Sequence, residues 1–360
     1  MAEALRMTLI PWLGVCLGIG AMLFTWWLIT YFRRPSFADL HEVAVPVACG
    51  AVFICLFVMW YTTWRAGPAS AKSCQLGYLL TGRWNEIDTQ LLSQEALAWL
   101  VRVFFLPLNF SESARVMSGF RIQPEHYFDR PVMALHADLL MFIYGMIVTA
   151  IIPGYLFASR LFSNEVRLVD RTLSAWVVTL WSYAPFLVNG AFFYYRAENW
   201  QSQFSANGLV LCVVGFCILL FELVHYWGEA QMGIRASNLS HRGIITTGPF
   251  RYTRHPIYLS KCIGWFFIWM PVTAGENWVE CVRLTVLFVM ACSVYFARSW
   301  VEERLLASDK DYVTYALWVD RHGLLARLGR HIPALTFEWR YRRWLKDGAI
   351  ISDGLSPATR

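Results

Sequence analysis

Apolar residues run along this chain in long unbroken blocks, without the period-two or three-to-four spacing of an element that shows one face to water. A helix needs about 20 mostly apolar residues to cross the hydrocarbon core of a bilayer. Six blocks reach or approach that length: Thr8–Phe32, Val43–Trp64, Val132–Ala158, Thr172–Tyr195, Gly208–Trp227 and Val279–Ala297. A seventh, Leu259–Ala274, is shorter and carries Lys261 near one end and Pro271 near the other. It predicts a tilted or partly broken span. The first block is too long for a secretory signal core and no small-residue cleavage site follows it, so it reads as a retained anchor. Ala96–Phe110 is apolar but short, with Arg102, Pro107 and Asn109 inside it. That pattern predicts an interfacial or re-entrant helix, its polar flanks 65–95 and 111–131 forming a small capping layer on the membrane.

The expected fold is therefore all-α, a polytopic integral membrane protein. It has about seven transmembrane helices, a C-terminal helical hairpin and a cytoplasmic cofactor pocket. The chain divides into an N-terminal two-span region with its interfacial segment (1–131), a central two-span region (132–207), a membrane core (208–335) and a basic cytoplasmic tail (336–360).

Composition agrees with that pattern. Of 360 residues, 57% are hydrophobic and 16% charged, against about a quarter charged in soluble domains, and the mean hydropathy is +0.42. The 18 Trp and 16 Tyr suit the boundary between hydrocarbon and headgroups. Eight of the nine cysteines lie inside apolar runs, where thiols behave as small hydrophobes. Without CxxC or Cys/His spacing, neither disulfides nor a metal site is expected. The net charge is +6, and the stretch after Arg298 is dense in Arg, at Arg321, Arg327, Arg330, Arg340, Arg342 and Arg343. On a membrane protein such a cluster marks a cytoplasmic face against anionic lipid; no nucleic-acid partner is expected. The connection 228–258 is also rich in Arg and lies two spans away, so both belong on the cytoplasmic side. Gly275–Glu280 between them has no Lys or Arg. The expected location is a bacterial inner membrane with the active site facing the cytoplasm.

The chemistry gathers in that connection, which reads HRGIITTGPFRYTRHPIYLSK from His241 to Lys261. Gly248–Pro249 is a turn signal, and Gly243 and Gly248 allow close approach of the backbone to a ligand. Arg254 and His255 bring a permanent cation and a titratable ring to the mouth of the next span. Pro256 suits the first turn of a helix, with Tyr258 following. A helix N-terminus beside Arg can seat a carboxylate, and an aromatic ring can face a sulfonium. Glu302 and Glu303 lie just past the last span. Because 259–297 is an antiparallel hairpin, Tyr258 and Glu302 return to one membrane face. Taken singly, Arg251 and Arg254 read equally well as positive-inside charges, and the glutamates as a solvated helix end paired with Arg298 or Arg304.

The ordered combination resembles the isoprenylcysteine carboxyl methyltransferase and phospholipid methyltransferase superfamily. The matching elements are Gly248-Pro249-Phe250-Arg251-Tyr252, Arg254-His255-Pro256-Ile257-Tyr258, Glu302-Glu303, Tyr312-x-x-Tyr315 and Pro333, covering about residues 208–335. One position departs from the pattern: Ser260 stands where the family usually has Gly. The resemblance implies methyl transfer from S-adenosylmethionine to a membrane lipid or lipidated acceptor at the cytoplasmic face. It implies cofactor contacts from Gly248, Pro249, His255 and Tyr258. One of Glu302 and Glu303 would hold the cofactor's ammonium while the other braces Arg254 or Arg251. On the acceptor side, Glu222 and His225 lie one turn apart near the end of the fifth span, and an intramembrane carboxylate is functional by default. Glu222, His225 and Arg254 are thus the catalytic candidates. His136 and Asp138 in the third span, and Asn189 in the fourth, are weaker candidates for a polar track. Two rival readings remain at this point. One is a sterol-type membrane reductase using a nicotinamide cofactor, in which Asn replaces Pro256. The other is a non-enzymatic scaffold.

Overall fold

A computed structural model describes residues 74–119, 131–156, 164–183, 204, 207–269 and 277–348. Among them the chain is almost wholly helical, and four helices are long and apolar enough to cross a membrane: Thr89–Phe110, Ala134–Tyr155, Gly208–Arg235 and Trp278–Leu306. These mark an integral membrane protein. The predicted blocks Thr8–Phe32 and Val43–Trp64 lie outside the described residues. The first half of Thr172–Tyr195 forms a helix over Leu173–Trp181, and the short seventh block forms a 14-residue helix, Pro256–Trp269.

In chain order the helices are α1 (Gln75–Leu80), α2 (Thr89–Gly119), α3 (Pro131–Leu156), α4 (Leu173–Trp181), α5 (Gly208–Met232), α6 (Pro256–Trp269), α7 (Trp278–Leu306), α8 (Lys310–His322), α9 (Ala326–His331) and α10 (Phe337–Lys346). One two-stranded antiparallel ribbon joins β1 (Leu168–Val169) to β2 (Ser240–His241), pairing Leu168 with His241 and Val169 with Ser240.

Ala96–Phe110, expected to form an interfacial or re-entrant helix, falls within Thr89–Phe110, which is long and apolar enough to cross a membrane. That stretch lies inside α2, a continuous helix of 31 residues that carries Pro107 without ending. Arg102, the charge that argued for an interfacial position, lies 4.8 Å from the Trp99 ring. A guanidinium over an aromatic face loses less on leaving water, so one Arg does not exclude this helix from an apolar setting. The polar segment before it seeds the helix: Asp88 Oδ1 accepts from the amides of Gln90 and Leu91 at 2.8 and 3.1 Å, the N-cap arrangement that satisfies orphan donors.

The described residues fall in two compact units. One gathers those of Met1–Gln123, Tyr144–Val169 and Met232–Gly243. Gln94 on α2 exchanges two hydrogen bonds with the Val169 backbone, and the Tyr155 hydroxyl accepts from Asn238. Arg242 is buried against the Gly154 carbonyl, and that burial pulls its pKa down to about 9.

The other unit holds Pro124–Ile143, Asp170–Gln231 and Ile244–Arg360. Here α4 and α6 pack on α7, and α8, α9 and α10 fold back beside the end of α7. Ala307, Tyr312, Tyr315, Ala316, Val319, Phe337 and Trp344 form the core of that cap. The segment read as a basic tail therefore begins as structure. Thr336 caps α10, whose Phe337, Arg340 and Trp344 recur at three-to-four spacing and turn inward. An amphipathic period of this kind buries one face and leaves the remaining Arg residues to solvent.

Candidate functional site

The site is organised by the last turns of α7. Successive residues on a helix point about 100° apart, so adjacent Glu302 and Glu303 reach different neighbours. Glu303 is fully buried. Its Oε1 accepts from Arg254 Nε at 2.7 Å and lies 3.0 Å from His255 Nε2, while Oε2 accepts from Arg340 Nη1 at 2.8 Å. Arg254 is engaged through its other two nitrogens as well: Nη1 donates to Asp320, and Nη2 donates to the Leu335 carbonyl at 2.9 Å. Asp320 Oδ2 in turn accepts from the Glu338 amide at 2.9 Å. Two guanidinium groups thus balance two carboxylates, and the His255 ring completes the set through Nε2. A buried network is tolerable only when charge and hydrogen bonds close in this way. Burial opposes the Arg254 charge, but Glu303 and Asp320 outweigh it and hold its pKa above the usual arginine value.

Glu302 faces the other way. It accepts from the Tyr258 hydroxyl and, at 3.3 Å, from Arg298 Nη2. Its side chain is 28% exposed, against 0% for Glu303. The Tyr258 ring stacks on His255 at 5.5 Å, and the Arg298 guanidinium lies 5.0 Å from its centre. The hairpin expected from the sequence accordingly brings Tyr258 to Glu302. Of the two acids, Glu303 is the one that braces Arg254.

A cavity of about 200 Å³ opens among these groups. Tyr252, His255, Tyr258, Tyr295 and Phe296 give it an aromatic side; Thr253, Arg254, Glu303, Asp320 and Arg340 give it a polar one. Tyr315, from the Tyr312-x-x-Tyr315 element, donates to the Phe250 carbonyl at 2.6 Å and so pins the motif loop to α8. Burial pushes the Tyr312 and Tyr315 phenols up, keeping both neutral.

Gly248 and Pro249 do not line this cavity. They form a 3₁₀ turn, Gly248–Arg251, seated on α5. Gly248 has φ of +60°, and a Cβ there would stand 2.5 Å from Gln231 Cγ. Glycine is required by both conformation and space. Glu222 and His225 also lie apart from the cavity wall. His225 Nδ1 is 3.3 Å from Glu222 Oε2, and its Nε2 is 3.9 Å from Glu229 Oε1. Glu229, which the sequence reading passed over, is buried, and its Oε2 has no hydrogen-bond partner among the described residues. The spacing Glu222, His225, Glu229 (i, i+3, i+7) places all three on one helix face and was available in the sequence. His136 Nε2 lies 3.1 Å from the Gly215 carbonyl and reads as a buried structural histidine; Asn189 lies outside the described residues.

Ser260, the departure from the family pattern, is buried and donates to the Ile257 carbonyl at 3.1 Å within its own helix, away from the cavity wall. Ser260→Gly is therefore expected to cost about 0.5 kcal/mol of helix stability and to leave ligand affinity unchanged. Thermal unfolding in detergent beside a binding titration checks this; a several-fold change in affinity would show that the residue reaches the ligand.

Fold and site together define a helical integral membrane protein with a charge-balanced network closing an aromatic cavity at the end of an apolar span. Residues 162–321 match a family described as protein of unknown function (DUF1295). The match contains Glu222, His225, the Gly248–Tyr258 motif, both glutamates and Asp320, and stops short of Arg340. No curated protein and no solved structure matches the chain.

Proposed function

We propose that the protein transfers a methyl group from S-adenosylmethionine to a lipid or lipidated acceptor at the cytoplasmic membrane face. The reading rests on the resemblance of the motif residues and on one observation: Arg254, His255, Tyr258 and Glu303, separated by up to 49 residues in sequence, converge on one cavity. Its aromatic side suits a sulfonium and an adenine ring, so the residues present fit such a cofactor. The cofactor would supply an electrophilic methyl carbon for in-line displacement. The chain's own part is positioning and exclusion of water. His255 and Tyr258 present a stacked pair of faces that Glu303 and Glu302 hold in place. Glu303 has both oxygens committed to cations; Glu302, expected to contact the cofactor, does not line the cavity and adjoins it only through Tyr258, so an ammonium would meet it beside that ring. Arg254 acts as a positioning residue, since each of its three nitrogens donates to a partner within the protein. Glu222, His225 and Glu229 form a second acidic and basic cluster suited to taking a proton from an amine or hydroxyl acceptor.

Binding of labelled S-adenosylmethionine to the purified protein in detergent tests this. His255→Ala is expected to weaken binding by about 2 kcal/mol, roughly 30-fold, by removing one aromatic face and freeing Tyr258 to move. Normal binding by this variant would move the cofactor elsewhere. Thermal stabilisation by a reduced nicotinamide cofactor, without any by S-adenosylmethionine, would replace the methyltransferase with a reductase.

A further inference from the structure

Among the described residues outside the apolar spans, exposed large aliphatic side chains concentrate on one short stretch. Leu324, Leu325, Leu328 and Ile332, in and around α9, are 70%, 40%, 44% and 46% exposed. Exposed Arg321, Arg327 and Arg330 alternate with them, and residues 321–335 contain no Asp or Glu. The other side of the same stretch is fixed and inward-facing. Ala326 and Gly329 line the cavity with Leu325, and a Cβ at Gly329 would stand 2.8 Å from Thr336 Cγ2. The Leu324 amide donates to the Tyr252 carbonyl at 2.7 Å, and Arg254 holds the Leu335 carbonyl. The second anchor belongs to the network around Glu303 and the first lies two residues before Arg254, so the stretch is tied to the end of the apolar span α7.

We propose that residues 321–332 form an interfacial wedge that inserts Leu324, Leu328 and Ile332 into an anionic lipid leaflet, so that the cavity behind α9 opens onto lipid and admits amphiphiles from it. An apolar stripe flanked by Arg, with no acid, fits that occupant: the aliphatic groups enter the acyl boundary while the guanidinium groups meet lipid phosphates. A soluble acidic partner would match the arginines and leave the leucines without a role. The inference does not depend on which reaction the cavity supports.

The full-length protein, with a genetically encoded solvatochromic fluorophore replacing Leu328, is reconstituted into lipid nanodiscs of phosphatidylcholine with or without phosphatidylglycerol. A second sample carries the fluorophore at Val286, an exposed position in the apolar helix α7, as the positive control. At position 328 quenching by brominated acyl chains is expected to exceed quenching by aqueous iodide several-fold. Emission should shift further to the blue when phosphatidylglycerol is present, and Arg327→Gln with Arg330→Gln should remove that extra shift. Dominant iodide quenching at 328, with Val286 still quenched by the lipid, would overturn the proposal. So would quenching by neither reagent, the mark of a second copy or another protein covering the face. An emission that ignores phosphatidylglycerol would remove the anionic leaflet as the occupant.

Discussion

Glu303→Gln is expected to lower stability by about 3–5 kcal/mol, the usual cost of removing one partner from a buried ion-pair network. The glutamine keeps the shape of the side chain but removes its charge. Its amide can accept from Arg254 or from Arg340, and whichever guanidinium it does not serve then meets an N–H group. Both guanidinium groups are buried or nearly so, with side chains 10% and 3% exposed, so water cannot make good the loss. The cavity wall loosens with it, and S-adenosylmethionine binding should disappear together with the shift in unfolding midpoint. Glu302→Gln is the comparison: that side chain is 28% exposed, and its removal from a partly solvated pair should cost only about 1 kcal/mol or less. Midpoints measured in the same detergent decide the matter. Equal effects of the two substitutions would show that Glu303 is not the centre of the network.

The second large effect is steric. Gly323 sits between α8 and α9 with φ of −74°, a backbone that any residue can adopt. Glycine to alanine at such a position ordinarily stabilises by about 0.4–1 kcal/mol through the unfolded chain. Here an added Cβ would lie 2.7 Å from both the Tyr252 and Val319 carbonyl oxygens, and 2.8 Å from Val319 Cγ1. Two of those three atoms are backbone and cannot swing away. Gly323→Ala is therefore expected to destabilise by about 1–3 kcal/mol and to strain the Leu324–Tyr252 hydrogen bond that ties α9 to the motif loop. Thermal unfolding gives the sign directly. A stabilised variant would mean that the close approach of the two segments is not maintained.

Both effects centre on contacts that local sequence does not announce. The apolar blocks at 132–158, 208–227 and 279–297 are helical over their described residues because length and hydrophobicity are local properties, and a run of apolar residues has few other ways to satisfy its backbone. The Arg254–Tyr258 motif and the glutamate pair were legible for a different reason: their order and spacing imply a hairpin, and a hairpin returns its ends to one level. Asp320 and Arg340 carried no such signal. Asp320 looks like any charge on an amphipathic helix, and Arg340 like one more cation in a basic tail. Each gains its role only when α8 and α10 fold back beside α7. Arg102 weighs against an apolar setting when read in sequence alone, whereas the Trp99 ring beneath it lowers the cost of that charge.

By itself, then, the sequence determined the membrane class, the apolar helices and the identity of the motif residues, because each follows from chemistry within one stretch of chain. The tertiary structure decided which glutamate is structural, that Gly248 and Pro249 seat a loop while His255 and Tyr258 face the cavity, and that the last basic segment supplies a buried arginine. Those distinctions depend on which side chains share a small volume. Burial turns a charge from nearly free into one that must be matched, and only the packed chain shows which charges are buried together.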